Sequence, residues 1–210
     1  MTSILDIVIK EIDKGLKYST QNFQKTKRDY PADNLKDTEL SELEKYHSAG
    51  LMRVNHSGEV CAQALYRGQA STAELKDIKA SMEKAAQEEL DHLAWCNKRL
   101  MELGSNPSIL DPLWYGTSFS LGAIAGIIGD KWSLGFVEET EKQVVEHLNK
   151  HIKQLSHKDT RSMAIIKKMR EEEEGHAKEA KAAGAAKLPK LAKKGMSLIS
   201  RIMTSTSYHI

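Results

Sequence analysis

Cysteine and proline are scarce in this sequence of 210 residues, which contains two cysteines and four prolines. Cys61 and Cys96 stand far apart and outside any Cys-x-x-Cys pattern. Their spacing excludes a disulfide framework and a thiolate metal site, and it favours a reducing compartment. The few prolines and thirteen glycines stand among abundant Ala, Leu, Lys and Glu, a composition typical of helices.

An excess of charge is also missing, because 31 Lys and Arg residues face 29 Asp and Glu residues for a formal net charge of +2. This balance excludes a strongly basic nucleic-acid-binding protein and an acidic disordered chain. The first thirty residues lack the pattern of a secretory signal, and their acidic Asp6, Glu11 and Asp13 disfavour a mitochondrial presequence. We therefore expect a mainly helical, cytoplasmic protein that binds no nucleic acid.

The sequence pattern divides the chain into three parts. Residues 1–37 are expected to form a weak amphipathic helix from Ile4 to about Tyr18 and a polar linker from Asn22 to Asp37. Residues 38–186 are expected to form a helical bundle, with a helical run beginning near Thr38 and an apolar segment at 109–129. Residues 187–210 are expected to form a basic amphipathic segment. Within the central part, the strongest helical patterns cover 48–72, 75–103, 131–157 and 159–184.

In each of these four helical patterns, acidic residues interrupt the apolar stripe. Apolar residues recur in steps of three and four, which is typical of one buried face of a helix. Continuing the steps through the middle of each segment leads to polar residues instead. These interrupting residues are Glu59, Glu89 with His92, Glu141, and Glu173 with His176. Each of the four helices thus places a glutamate where a core side chain is expected.

Four glutamates in one core would need cations, because a buried carboxylate without a partner takes up a proton instead. Two divalent metal ions would balance the four charges, and two histidines would complete the ligand set as neutral donors. A Glu and a His three residues apart lie on the same helix face. Ferritin-like di-iron and di-manganese bundles use this arrangement, with a lone Glu on two helices and Glu-x-x-His on the other two. We predict an all-α, ferritin-like four-helix bundle that binds two metal ions.

The spacing between the glutamates indicates two helical hairpins. Glu59 and Glu89 are 30 residues apart, and Glu141 and Glu173 are 32 apart, each about a helix, a turn and a returning helix. Glu138 competes with Glu141, since it lies only about 60° away around the helix. We prefer Glu141, but spacing alone leaves the choice open.

Other polar residues near the predicted centre are expected to play lesser roles. Three histidines are predicted to be outer partners of the ligands or surface residues: His56, His147 and His151. Tyr66 is predicted chiefly to fill the core.

Several motifs together resemble the demethoxyubiquinone hydroxylases, di-iron monooxygenases of ubiquinone biosynthesis. They are Met52-Arg-Val-Asn-His-Ser-Gly-Glu59, Tyr66-Arg-Gly-Gln69, Glu89-Leu-Asp-His92, Pro112-Leu-Trp114, Gly135-Phe-Val-Glu-Glu-Thr-Glu141 and Glu173-Glu-Gly-His176. The resemblance covers about residues 40–205. Family members usually carry Ala where this chain has Ser57, a small change that should leave metal binding intact. The resemblance implies the same six ligands for two iron ions per chain: Glu59, Glu89, His92, Glu141, Glu173 and His176.

The resemblance also implies a reaction. The expected activity is O2-dependent hydroxylation of the ring of a polyprenylated benzoquinol, demethoxyubiquinol. The sequence contains no flavin or nicotinamide fingerprint, so electrons are expected from an external reductant or from the quinol itself. The prenyl-tail length, the electron donor, a homo-oligomeric state and a lipid-presenting partner protein are all left open.

Two segments fit a lipid substrate. No charged residue lies between Asp111 and Asp130, but polar residues and glycines interrupt this stretch, so lying on a membrane fits better than spanning it. The segment 187–210 combines lysines with apolar residues, as basic membrane-surface helices do. We expect a peripheral protein on the cytoplasmic face of the cell membrane. Packing of either segment against the bundle core is an equal alternative.

Two other functions share part of this pattern. A ferritin-like di-iron oxidase or peroxidase would need the metal site but no lipid substrate. A metal-free helical interaction module at a membrane surface would need only the amphipathic segments.

Overall fold

A computed structural model describes residues 4–18 and 28–210, and every regular element in these residues is an α-helix. The helices are α1 (Ile4–Tyr18), α2 (Glu42–Thr72), α3 (Lys76–Glu102), α4 (Asp111–Ile128), α5 (Asp130–Gln154), α6 (Thr160–Ala182) and α7 (Lys190–Ser207). This confirms the all-α prediction for the described part of the chain. The predicted linker extends from residue 22 to 37, and its residues 22–27 lie outside the described ranges.

Two helical hairpins form the centre of the molecule. Helices α2 and α3 pair through a short connection, as do α5 and α6, and the hairpins meet where α3 contacts α6 and α2 contacts α5. One core cluster takes side chains from all four helices, among them Met52, Trp95, Leu148 and Ile166. The arrangement matches the predicted ferritin-like bundle. The division of the chain after residues 37 and 186 stays a prediction.

Helix α2 begins later than the run predicted from Thr38 and earlier than the segment predicted from residue 48. Ser41 caps the helix, because its hydroxyl accepts a hydrogen bond from the Glu44 N–H while the Glu44 carboxylate accepts one from the Ser41 N–H. This reciprocal pair is a capping box, which satisfies two backbone donors at a helix start. The hydroxyl of Thr38 instead donates to the carbonyl of Lys158. The two predicted helical runs are therefore one continuous helix.

Helix α4 packs closely against α2 through glycines. A Cβ atom added at Gly68 would overlap the carbonyl oxygen of Phe119, and one added at Gly122 would overlap the carbonyl oxygen of Leu65. Only glycine allows the two backbones to approach this closely. The opposite side of α4 carries exposed apolar side chains, which are Leu113, Ile124, Ile127 and Ile128.

Helices α1 and α7 lie outside the two hairpins. Helix α1 contacts α4 and α2, whereas α7 contacts α2 and α5. Glu11 on α1 accepts hydrogen bonds from the Arg67 guanidinium, at 2.8 Å from Nε, and from the Tyr115 hydroxyl, at 2.6 Å. Among the described helices, none is both long enough and apolar enough to cross a bilayer.

Candidate metal centre

The four hairpin helices bring all the glutamates predicted from the apolar stripes to one buried place. Each glutamate exposes no more than 3% of its surface. The two histidines lie beside them, His92 fully buried and His176 with 12% of its side chain exposed. The residues brought together are Glu59 on α2, Glu89 and His92 on α3, Glu141 on α5, and Glu173 and His176 on α6.

The six side chains form two overlapping groups, each compact enough to hold a metal ion. Within each group, one ligand atom from every residue lies within 4.8 Å of the others. The groups share Glu89 and Glu173, so these two carboxylates lie where they could contact both ions. The first group is completed by Glu59 and His92, and the second by Glu141 and His176. Carboxylate oxygen and imidazole nitrogen donors suit iron and manganese, so the donor set fits a two-ion centre.

Both histidines point the same ring nitrogen into the cluster. The Nδ1 atom of His92 lies 2.9 Å from Glu173 Oε1 and 3.1 Å from Glu89 Oε2. The Nδ1 atom of His176 lies 3.0 Å from Glu173 Oε2 and 3.2 Å from Glu89 Oε1. With Nδ1 facing inwards, Nε2 is left to carry the ring proton and to donate outwards.

Two further glutamates that the sequence reasoning missed bind these outer nitrogens. His92 Nε2 lies 2.6 Å from Glu172 Oε2 on the other hairpin, and His176 Nε2 lies 3.2 Å from Glu88 Oε2. Carboxylates in this position fix the orientation of a metal-binding imidazole and raise its basicity. The sequence did carry a signal, because each of these glutamates directly precedes a shared one, giving the pairs Glu88-Glu89 and Glu172-Glu173.

Burial and close contact shift the pKa values of the clustered side chains away from their ordinary values. Burial raises the pKa of Glu59 and that of Glu141 well above the usual value of a carboxyl. Burial also opposes ionisation of Glu89, but hydrogen bonds from the two histidines outweigh it and lower that pKa. Burial would lower the pKa of His176, yet the surrounding carboxylates raise it to about 12. A metal ion would take the place of protons on these groups, because its ligands bind in their deprotonated forms.

The structure distinguishes Glu141 from Glu138, the two glutamates that spacing alone left as alternatives. Glu141 is buried in the cluster, where its carboxylate accepts a hydrogen bond from the buried Tyr66 hydroxyl. Glu138 instead pairs with Lys142 one turn along α5. Tyr66 was predicted chiefly to fill the core, and it also holds one carboxylate of the cluster.

The three neighbouring histidines have different surroundings. His56 Nδ1 lies 2.9 Å from the Asp111 carboxylate, and His151 Nδ1 lies 2.7 Å from Asn55 Oδ1. Both histidines are buried, so the surface alternative is wrong for them. Burial lowers the pKa of His151 to about 3, which keeps its ring neutral. His147 is half-buried and lines a neighbouring cavity.

This cavity has a volume of about 340 Å³ and lies between α2, α4, α5 and α7. Of the six clustered residues, Glu59 forms part of its wall. Most of the remaining wall is apolar and includes Ala62, Leu65, Leu121, Phe136, Met196 and Ile199. Helix α7, predicted as either a membrane-surface or a core segment, therefore covers a cavity that reaches the carboxylate cluster.

The fold and the site together define a ferritin-like helical bundle with an internal carboxylate and histidine cluster that could hold metal ions. The family model described as "Ubiquinone biosynthesis protein COQ7" matches residues 46–207, and the chain belongs to this family.

Relatives of similar length carry one common name, 3-demethoxyubiquinol 3-hydroxylase. A relative from Legionella pneumophila (strain Paris) is 55% identical over 210 residues, covering 100% of this chain and 99% of its own length. Relatives from Francisella tularensis subsp. tularensis (strain WY96-3418) and Ectopseudomonas mendocina (strain ymp) are 52% and 49% identical, covering 98% and 99% of this chain and 97% of their own lengths. The similarity therefore extends over nearly the whole chain and confirms the family predicted from the motifs.

Proposed function

We propose that this protein is a di-iron monooxygenase that uses O2 to hydroxylate the ring of a polyprenylated methoxy-methyl-benzoquinol, demethoxyubiquinol. The observation that carries the proposal is the apolar cavity with Glu59 in its wall, since it joins an apolar space to the carboxylate cluster. The name shared by the relatives supports the same reaction. A ferritin-like oxidase or peroxidase would use the cluster but has no need of the cavity.

The ligands in this proposal are the six clustered residues. Glu89 and Glu173 would contact both irons, Glu59 and His92 would complete the first position, and Glu141 and His176 the second. When bound, the iron pair supplies the redox chemistry that activates O2, with electrons from an external reductant.

The residues around the ligands orient them. Tyr66 on α2 donates a hydrogen bond to Glu141 on α5 and so fixes the position of the Glu141 carboxylate. Glu88 and Glu172 hold the outer nitrogens of the two histidines and thereby set the orientation of both rings. Held in this way, the ligands need little rearrangement when metal binds, which favours a precise centre.

The cavity would bind the substrate by its lipid part. Its apolar wall suits a polyprenyl chain, because apolar surface of both partners leaves water on binding. A tail held along this wall would bring the quinol ring towards Glu59. The bound lipid would also exclude water from the reacting ring, which suppresses side reactions.

The surface around the cavity would bring the enzyme to the membrane where such a lipid resides. Isoleucines 124, 127 and 128 of α4 and leucines 191 and 198 of α7 are exposed, and both helices line the cavity. The C-terminal segment adds lysines to this apolar surface. Helices that combine exposed apolar residues with basic ones bind anionic membrane surfaces without spanning them.

Quinone analysis of bacterial cells that lack the gene tests the reaction. We expect demethoxyubiquinone to accumulate, and we expect the wild-type chain to restore ubiquinone. The Glu173→Ala variant should fail to restore it and should contain less iron after purification. Glu174→Ala provides the matched control, because Glu174 is the next residue on α6 and its side chain is 56% exposed.

Two results would contradict the proposal. Normal ubiquinone in cells lacking the gene, with no intermediate, would exclude the hydroxylase activity. Unchanged iron content in the Glu173→Ala variant would remove Glu173 from the metal centre.

A further inference from the structure

The two halves of the cluster are alike in their ligands but differ in what holds the histidines from outside. On the His92 side, Glu172 Oε2 lies 2.6 Å from the ring Nε2. Glu172 is itself held by Arg28, whose Nη1 atom lies 2.9 Å from both carboxylate oxygens. Lys168 adds a contact at 3.0 Å. Arg28 and Lys168 therefore hold the Glu172 carboxylate, and Glu172 in turn positions His92.

Arg28 is held in place by further contacts. Its Nε atom donates to the Asp91 carboxylate at 2.5 Å, and its guanidinium lies over the Trp95 ring, 4.7 Å from the ring centroid. The Trp95 ring in turn lies 5.3 Å from the ring of His92, centroid to centroid. Arg28, Trp95 and Glu172 thus enclose His92, which has no exposed surface.

The His176 side is more open. Its Nε2 atom lies 3.2 Å from Glu88 Oε2, and Glu88 has 36% of its side chain exposed. Within the described part of the chain, Glu88 pairs with Lys84, whose Nζ atom lies 3.3 Å from its Oε1 atom and whose side chain is 71% exposed. A more exposed carboxylate exchanges its hydrogen bonds with water more readily, so Glu88 holds a ring less firmly than Glu172, which is 19% exposed and paired with two cations. His176 is itself partly exposed.

We propose that the two metal positions are inequivalent. The position of Glu59 and His92 binds its ion first and releases it last, with Glu172 and Arg28 as positioning residues that act through His92. The position of Glu141 and His176 is the weaker one. This inference rests on the proposed ligand set. Its physical basis is that outer hydrogen bonds orient a metal-binding histidine, and their loss typically weakens metal binding by about 10–100-fold.

The order of filling can be measured directly. Metal-free protein receives one equivalent of ⁵⁷Fe(II) without oxygen and then one equivalent of ⁵⁶Fe(II), and a Mössbauer spectrum is recorded. We expect one dominant quadrupole doublet, because the ⁵⁷Fe occupies one position. Two doublets of equal area would show random filling and would overturn the inference.

Iron release to a ferrous chelator assigns the two positions. The fully loaded wild-type protein should lose iron in two phases of equal size. Glu172→Gln should accelerate the slow phase by about 10–100-fold and leave the fast phase unchanged. Glu88→Gln is the matched control and should accelerate only the fast phase. Arg28→Gln should also accelerate the slow phase, by less than Glu172→Gln does, because it removes the support of Glu172 and not the bond to His92.

The outcomes separate this inference from the function on which it rests. A protein that binds no iron would refute the proposed centre itself. Two irons released in a single phase, or a Glu172→Gln variant that changes only the fast phase, would refute the inequivalence and leave the hydroxylase proposal intact. The two-phase release and the ⁵⁷Fe order are measured on the wild-type protein, so they decide the question even if a variant fails to fold.

Discussion

The carboxylate cluster and the apolar wall of the neighbouring cavity meet at Glu59, yet they depart from an ordinary protein interior in opposite ways. The cluster places charged groups where apolar side chains would pack, and burial raises the pKa of Glu59 and Glu141 there. The cavity leaves apolar side chains of α2, α4, α5 and α7 without packing partners. Buried charges and unpacked apolar side chains each lower the stability of the protein without ligands. Each feature also provides a binding place for a different ligand. Sites of this kind commonly exchange stability for function.

Removing a shared carboxylate should have the largest effect. In Glu89→Ala both metal positions lose a ligand, so we expect loss of hydroxylase activity and of nearly all bound iron. Added Fe(II) should no longer raise the melting temperature, since a ligand stabilises a fold only through binding to it. Glu83→Ala is the control, as Glu83 is exposed on the same helix. A Glu89→Ala protein with full iron content would show that Glu89 is not a ligand.

Filling the cavity should separate substrate binding from metal binding. Gly58 lines the cavity next to Glu59, and a Cβ atom added there meets nothing within 4 Å. Gly58→Leu should therefore fold, keep its iron and lose about tenfold or more of kcat/KM, equivalent to about 1.4 kcal/mol. Gly175→Leu is the matched control, because Gly175 is equally open, adjoins His176 and lies outside the cavity wall. Equal losses in the two variants would exclude the cavity as the substrate site.

The cluster could be predicted from the sequence more fully than the cavity. A glutamate that interrupts an apolar stripe is conspicuous in a sequence, because a charged side chain on the buried face of a helix needs a specific partner. The roles of Glu88, Glu172 and Tyr66 depend on how far one helix is displaced along another, and periodicity within a helix contains no such information. Helix α7 was ambiguous for a similar reason, since an apolar face suits a core, a membrane or a cavity equally well.

Charging the outer surface near the cavity should weaken membrane binding without changing the metal centre. Ile127 on α4 and Leu198 on α7 are 73% and 59% exposed. The double variant Ile127→Glu with Leu198→Glu should bind anionic lipid vesicles several-fold less tightly in a flotation assay, because apolar contact and attraction to the surface both fall. Met101→Glu, at a 52% exposed position on α3, should bind as the wild type does. Unchanged flotation of the double variant would place the membrane-binding surface elsewhere.

The smallest effect is expected at a carboxylate for which the protein itself supplies the cation. Burial opposes the ionisation of Glu11, but hydrogen bonds from Arg67 and Tyr115 outweigh it and lower its pKa from 4.5 to about 2. Because the folded-state pKa is lowered, the ion pair stabilises the fold above about pH 4.5, and this contribution disappears as the pH falls towards 2. Glu11→Gln should therefore lower the free energy of unfolding by about 1 kcal/mol at pH 7, and the difference from the wild type should shrink in acid.

Melting curves of both proteins between pH 3 and pH 7 measure this difference. Asp13→Asn on the same helix is the control, since its pair with Lys17 is largely exposed. In the metal-free cluster, where no Arg or Lys among the described residues pairs with Glu59, the corresponding Glu59→Gln change should instead leave the stability at pH 7 unchanged or raised. A loss of stability in both variants would mean that the cluster glutamates stabilise the fold as Glu11 does. Glu11, which the protein itself pairs with a cation, and Glu59, which would pair with a metal ion, would then not differ in their effect on stability.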